Sequence, residues 1–265
     1  MKIQEWRRLA LCSVGLLAAV LLVSLSGMLH PLADNNLPGE ENGTGTASER
    51  LQDIAHVEAH GRDENGPAVT QEPRRQYVVV IDAGHGGDDE GTGSTDWKYR
   101  EKDYALKVAD CLKEILDGTD IKAYYTRTDD REVSKEERVR LAKKVGADAL
   151  ISIHCNASDL NETTAKGVET LYSSRKATTK NGLSSKELAR NMLESVCETT
   201  GRQKRKVIRR DRLYLMHHAD MPVTIVEIGF MTNRSDMEYM KSEENQKAIA
   251  QGIYRGICTS FHISE

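Results

Sequence analysis

Apolar and polar positions divide the chain into three stretches. From Leu9 to Leu29 the residues are almost wholly apolar and uncharged, about the length of helix that crosses a hydrocarbon core of roughly 30 Å. From Pro31 to about Arg75, Asn, Glu, Gly, Asp and Thr predominate and no apolar period is sustained. Such a segment cannot bury enough surface to offset its ordering entropy, so residues 31–75 are expected to form a flexible linker. From Gln76 onward, apolar runs of strand length alternate with stripes at helical spacing.

In that third stretch, Tyr77 to Asp82 is a β-branched run of the kind covered on both faces of a sheet. Tyr104, Val108, Cys111, Leu112 and Ile115 then fall on one helical stripe that stops near Gly118. Ile121–Thr126 reads as a second strand. Ser134 and Glu137 have capping-box spacing ahead of Val139, Ala142 and Val145. Ala149–Ile153 and Gly167–Tyr172 are further strands. Ser184 and Glu187 open a helix carrying Leu188, Met192 and Val196, and Gly201 ends it. Val223–Ile228 is the last buried strand, and Ile249, Ile253 and Ile257 line a closing helix. Alternating strands and helices predict an α/β fold: one domain, residues 76–265, with a twisted, mostly parallel or mixed sheet flanked by helices on both faces.

Charge sets the topology of the first stretch. Lys2, Arg7 and Arg8 precede the apolar run and no Lys or Arg follows until Arg50, so the positive-inside rule places the amino terminus in the cytoplasm and the rest outside. Residues 1–30 are therefore expected to be a membrane anchor, with the folded domain on the extracytoplasmic side. The alternative is a signal cleaved after Ser24-Leu25-Ser26, with the mature protein released outside the membrane. A net charge of −4 and a pI near 6.1 argue against a nucleic-acid partner. The five cysteines are odd in number and scattered. Cys111, Cys197 and Cys258 fall within apolar helical patterns, where cysteine packs as a small hydrophobe, and no disulfide framework is expected.

The chemistry gathers at strand ends. Val78 to Gly87 reads Val-Val-Val-Ile-Asp-Ala-Gly-His-Gly-Gly, a buried strand running into a glycine turn that holds His85. Glu101 opens the following helix, His154 closes Ile151-Ser152-Ile153-His154, and Glu227 lies near the end of the last strand. In parallel α/β sheets ligands bind outside the carboxyl ends of strands. Two neutral imidazoles and one carboxylate fill three corners of a zinc tetrahedron, leaving the fourth for water and a further carboxylate to act as base. That composition suits a catalytic zinc hydrolase. Cys155 neighbours His154, but adjacent strand residues face opposite ways, so it is expected in the core. His217 and His218 lie off the strand-end pattern and read as surface residues. The basic run from Arg202 to Arg212 reads as a solvated loop, the other reading being contact with carboxylates of an anionic substrate. Arg138 and Asn156 are candidate pocket-lining residues without support from spacing alone.

The ordered set Ile-Asp-Ala-Gly-His-Gly-Gly, Glu-Lys-Asp, Thr-Arg-Thr-Asp-Asp, Glu-Arg-Val, Ser-Ile-His-Cys-Asn-Ala and Val-Glu-Ile-Gly-Phe-Met-Thr-Asn resembles the motifs of the zinc-dependent N-acetylmuramoyl-L-alanine amidases of the amidase_3 family. The similarity spans nearly all of Tyr77 to Phe261. It implies His85, Glu101 and His154 as zinc ligands, Glu227 as the catalytic glutamate, one zinc ion per domain, and peptidoglycan as substrate. The family's usual proline before the first Gly-His is Ala83 here, and Ser173–Ser184 is too short for the inhibitory helix that some relatives carry. A zinc peptidase cutting within the stem peptide uses the same inorganic parts. A non-catalytic wall-binding domain would be expected to lack a ligand or the glutamate. Stem-peptide preference and activating partners are not written in the sequence.

Overall fold

The computed structural model describes residues 76–159, 164–177, 179 and 182–265. The expected anchor and linker lie outside the described residues, among which no helix is long and apolar enough to cross a membrane. The elements run β1 (Val78–Ala83), α1 (Glu101–Leu116), β2 (Lys122–Tyr125), α2 (Lys135–Lys144), β3 (Ala149–Asn156), β4 (Val168–Tyr172), α3 (Ser185–Thr200), β5 (Lys204–Arg209), α4 (Tyr214–His218), β6 (Val223–Phe230), α5 (Arg234–Lys241) and α6 (Glu243–Phe261).

The six strands form one sheet in the order β2-β1-β3-β6-β4-β5. β2, β1, β3 and β6 are mutually parallel. β4 runs antiparallel to β6, and β5 runs parallel to β4. The carboxyl ends of β1, β3 and β6 therefore share an edge with the amino ends of β4 and β5.

Side-chain alternation sorts the sheet into two faces. Ile81, Ile151, Ile153, Val226 and Ile228 pack with α1, α3 and α6 in the larger core. Each fully buried aliphatic side chain there contributes about 1.5–3 kcal/mol relative to exposure. Val80, Leu150 and Ile225 point the other way, under Val139 and Ala142 of α2 and Leu215 and Met216 of α4. By the same alternation Asp82, Ser152, His154, Glu169 and Glu227 belong to this second face.

Local signals explain the helix starts. Ser134 Oγ accepts from the Glu137 amide at 3.2 Å while Glu137 Oε2 accepts from the Ser134 amide at 3.0 Å, a complete capping box worth about 1 kcal/mol. Ser184 accepts from the Glu187 amide at 3.1 Å, and α3 ends on Gly201 with φ of +65°.

Two expectations need correction. The basic run holds an edge strand, β5, where a loop was expected. Val207 and Ile208 are its only aliphatic residues, so no alternation announces it, and the charges on Lys204, Arg205 and Lys206 guard the edge against pairing with another chain. His154 does not close its strand, because β3 continues to Asn156 with a register shift between the two. The short helices α4 and α5 had no visible pattern.

Candidate metal centre and catalytic cleft

β1 delivers Gly84 and then His85, whose backbone sits in the left-handed region with φ of +59°. A Cβ on Gly84 would lie 2.4 Å from Cε1 of His154, so only glycine lets the second imidazole lie over the turn. At Gly91, where φ is +67°, a Cβ would stand 2.6 Å from Glu101 Oε2 and 2.7 Å from His85 Cδ2. The chain is stripped of side chains where the two imidazoles and the carboxylate meet.

Glu101 is the first residue of α1 and is 3% exposed, a position where the helix dipole favours a carboxylate. Its Oε1 lies 3.1 Å from His85 Nε2 and 2.8 Å from His154 Nδ1, and it accepts the Cys155 amide at 3.0 Å. Its Oε2 accepts the Thr92 amide at 2.8 Å. Burial alone would raise the Glu101 pKa, but hydrogen bonds from His154 and His85 outweigh it and hold the carboxyl far below the usual range. His154 is pulled oppositely by burial and by Glu101, with a net rise to about 8.

Ligand atoms of His85, Glu101 and His154 all fall within 4.8 Å of one another. With bonds of about 2.0–2.1 Å, the edge of a zinc tetrahedron is about 3.3 Å, so the three donors need only small adjustments to take the ion. Glu227 stands apart from this trio, as the register partner of His154 on β6. Its Oε2 is buried without a hydrogen-bond partner among the described residues, and burial, foremost, pushes its pKa up to about 7. A buried oxygen in that condition costs a few kcal/mol unless something polar reaches it. Two imidazoles, one carboxylate and an unengaged second carboxylate fit the donor set of a zinc site that binds and activates water.

Two arginines hold the His85 turn. Arg138 Nη1 donates to Asp82 Oδ1 at 2.5 Å and to the Ala83 carbonyl at 2.8 Å, and Nη2 donates to the His85 carbonyl at 2.8 Å. Arg127, 1% exposed, donates through Nε to the same Ala83 carbonyl at 3.0 Å and through Nη2 to the Gly84 carbonyl at 2.7 Å. Asp82 also accepts from Thr126 Oγ1 at 2.6 Å and Ser152 Oγ at 2.5 Å. Burial alone would raise the Asp82 pKa, but the Arg138 charge and these hydroxyls outweigh it and lower it. A cleft of about 510 Å³ is lined by Asp82, His85, His154 and Arg138 of this network together with Ser134 at the start of α2 and Leu213 and Tyr214.

Asn156 donates to Glu169 Oε2 at 3.0 Å, and Arg205 donates to Glu169 Oε1 at 2.6 Å. Cys155 faces the core, 3.9 Å from Met240 Sδ, and burial raises its thiol well above the ordinary value. His217 and His218 are exposed, with the His218 ring stacked on Tyr214, and neither joins the trio. Sequence reasoning overlooked Asp82, Arg127 and Glu169. Their signal was a charge inside, or just after, an otherwise apolar or β-branched strand.

The family model of N-acetylmuramoyl-L-alanine amidases matches residues 79–259. The chain is 33% identical over 190 residues to the protein YqiI of Bacillus subtilis (strain 168), covering 72% of this chain and 87% of that one. It is 27% identical over 191 residues to the probable cell wall amidase LytH of Staphylococcus epidermidis (strain RP62A), covering 72% of this chain and 60% of LytH. Its fold superposes on the N-acetylmuramoyl-L-alanine amidase of Clostridium difficile 630 with a TM-score of 0.65 at 34% identity, over 72% of this chain and 99% of that one. With the matched span covering most of the described residues, from β1 to the last turn of α6, the chain belongs to the N-acetylmuramoyl-L-alanine amidase family.

Proposed function

We propose that His85, Glu101 and His154 hold one zinc ion and that Glu227 is the general base with which this family member hydrolyses the amide between N-acetylmuramic acid and L-alanine of the peptidoglycan stem. The observation that carries the reading is the meeting of two imidazoles and one buried carboxylate beside a second carboxylate with an unengaged oxygen. Zinc, when bound, supplies Lewis-acid polarisation of the scissile carbonyl and acidifies water at the site. Glu227 takes the proton of the attacking water on its carboxylate and returns it to the L-alanine nitrogen as the C–N bond breaks. Its burial raises its affinity for that proton, which suits a group that must hold and then release it. Glu101, fixed by two backbone amides, and His85, fixed by the arginine-held turn, keep the ligand set in place between turnovers.

The domain acts outside the cytoplasmic membrane, held there by residues 1–30 and reaching the wall through 31–75. Cleavage after Ser26 would instead release it to the wall. The deciding experiment is a digest of purified peptidoglycan with the full-length zinc protein, followed by mass spectrometry. Stem peptides with a free L-alanine amino terminus and glycan with intact lactyl carboxylates are expected. L-Alanine left on the sugar, with new amino groups farther along the stem, would make the protein a peptidase. No new amines at all would make it a binding module.

A further inference from the structure

Residues 202–212 carry seven cationic side chains against one acid, Asp211, in a chain whose net charge is −4. Four of the seven are neutralised locally: Arg202 by Asp236, Lys204 by Glu194, Arg205 by Glu169 and Arg209 by Asp211. Lys206, Arg210 and Arg212 make no ion pair among the described residues. The turn that carries the two arginines is built rather than loose. Asp211 accepts from the Ser174 amide at 2.7 Å and the Ser174 hydroxyl at 2.9 Å, the Arg210 amide donates to the Tyr172 carbonyl at 3.0 Å, and the Leu213 amide donates to the Arg210 carbonyl at 3.1 Å. The link to Ser174 brings Arg175 and Lys176, also without ion pairs among the described residues, to the same corner.

Arg209 to Leu213 line a cavity of about 420 Å³. Leu213, 39% exposed, also lines the cleft that holds His85 and His154, so the two spaces share a wall residue. Guanidinium groups recognise planar oxyanions through paired N–H donors, and two of them with no internal acid lack only such a ligand.

We propose that the turn bearing Arg210 and Arg212 is an oxyanion subsite that takes a stem-peptide carboxylate of the polymeric substrate while the scissile amide lies at the metal centre. This rests on the amidase reading above. The subsite contributes to holding the polymer and takes no part in bond cleavage. A wall of repeated anionic stems offers carboxylates beyond the stem being cut, and the shared Leu213 wall lets one substrate segment reach both places.

The test measures co-sedimentation with peptidoglycan stripped of phosphate polymers, using the full-length protein with Glu227→Gln so that binding is read without hydrolysis. Adding Arg210→Gln and Arg212→Gln should weaken binding about tenfold and flatten its salt dependence. The charge-matched pair Lys107→Gln and Lys113→Gln on α1 should leave binding unchanged. Arg210→Lys with Arg212→Lys should recover part of the loss, and thermal melts should coincide for all variants. Peptidoglycan with amidated stem carboxylates should bind the Glu227→Gln protein as weakly as ordinary peptidoglycan binds the arginine variant. Equal loss in the α1 control, unchanged binding in the arginine variant, or a loss seen only on walls that retain phosphate polymers would overturn the assignment. Failure of the intact protein to release L-alanine amines would sink the amidase reading instead, and the binding comparison would still report on the subsite.

Discussion

Glu169 and Glu227 stand directly opposite each other on the antiparallel strands β4 and β6. Two carboxylates in that relation repel. The pairing persists because Arg205 and Asn156 engage both oxygens of Glu169, which leaves Glu227 as the member that absorbs the strain. Burial is the largest cause of its raised pKa, and Glu101 and Glu169 add to it.

A pH dependence of stability follows for the metal-free protein. Unfolded, Glu227 titrates near 4.5, and folded near 7, so between those values the folded state holds a proton that the unfolded state has lost. Stability attributable to Glu227 therefore falls as pH rises from about 4.5 to about 7 and is level above. Denaturant melts of chelator-treated protein at pH 5 and pH 7.5 should show this decline, and Glu227→Gln should remove part of it. Glu169→Gln, by deleting a nearby negative charge, should narrow the window from its upper end. A decline of equal size in Glu227→Gln would assign it to other groups.

Metal binding and catalysis should separate. Glu227→Gln is expected to retain about one zinc per chain and lose most activity, whereas His85→Ala and His154→Ala should lose the metal as well. Metal analysis of the purified variants decides it, and a zinc-free Glu227→Gln protein would make Glu227 a ligand.

Asp82→Asn should destabilise the fold by about 3–5 kcal/mol, because it leaves the buried Arg138 charge without its counter-ion. The wild-type Asp82 pKa is depressed in the fold, so its contribution is present above the unfolded value near 3.8 and disappears as pH falls through the lower folded value. The variant's deficit, read from melts, should therefore be full at pH 6 and shrink only in strong acid.

Arg127→Lys keeps a charge but cannot reach the Ala83 and Gly84 carbonyls with one planar fork. It is expected to weaken zinc binding about tenfold or more by loosening the His85 turn, measured by chelator competition. The visible spectrum of the cobalt-substituted protein should shift with it. An unchanged spectrum with unchanged affinity would show that Arg138 holds the turn unaided.

Cys155→Ser should fold, bind zinc and remain active, and alkylating reagents should not inhibit the native protein, since the thiol is buried and its pKa is raised. An inactive, zinc-loaded Cys155→Ser protein would restore a nucleophilic role to the thiol.

Much of the fold was legible because the buried strands are continuous aliphatic runs and the main helices carry clean stripes; β1, β3 and β6 needed little more than Val, Ile and Leu. The convergence of His85, Glu101 and His154 followed from strand ends meeting on one edge of a parallel sheet. β5 was hidden because four of its six residues are cationic and only the adjacent Val207 and Ile208 pack against the cores, one on each face. The arginine hold on β1 was hidden for a different reason: Arg127 and Arg138 act on backbone carbonyls, which have no sequence signature, across separations of more than forty residues.

The strand order carries one more consequence. β3 ends and β4 begins on the same edge, yet β6 lies between them, so the residues leaving β3 and those entering β4 stand on either side of β6. Both are moored to the chain that follows β6: the Asn156 carbonyl accepts from the Met231 amide, the Ser158 amide donates to Thr232 Oγ1, and the Gly167 amide donates to Asp236. The segment from Met231 to Asp236 thus ties the chain leaving β3 to the chain entering β4, so a change there would be felt on both sides of Glu227 at once.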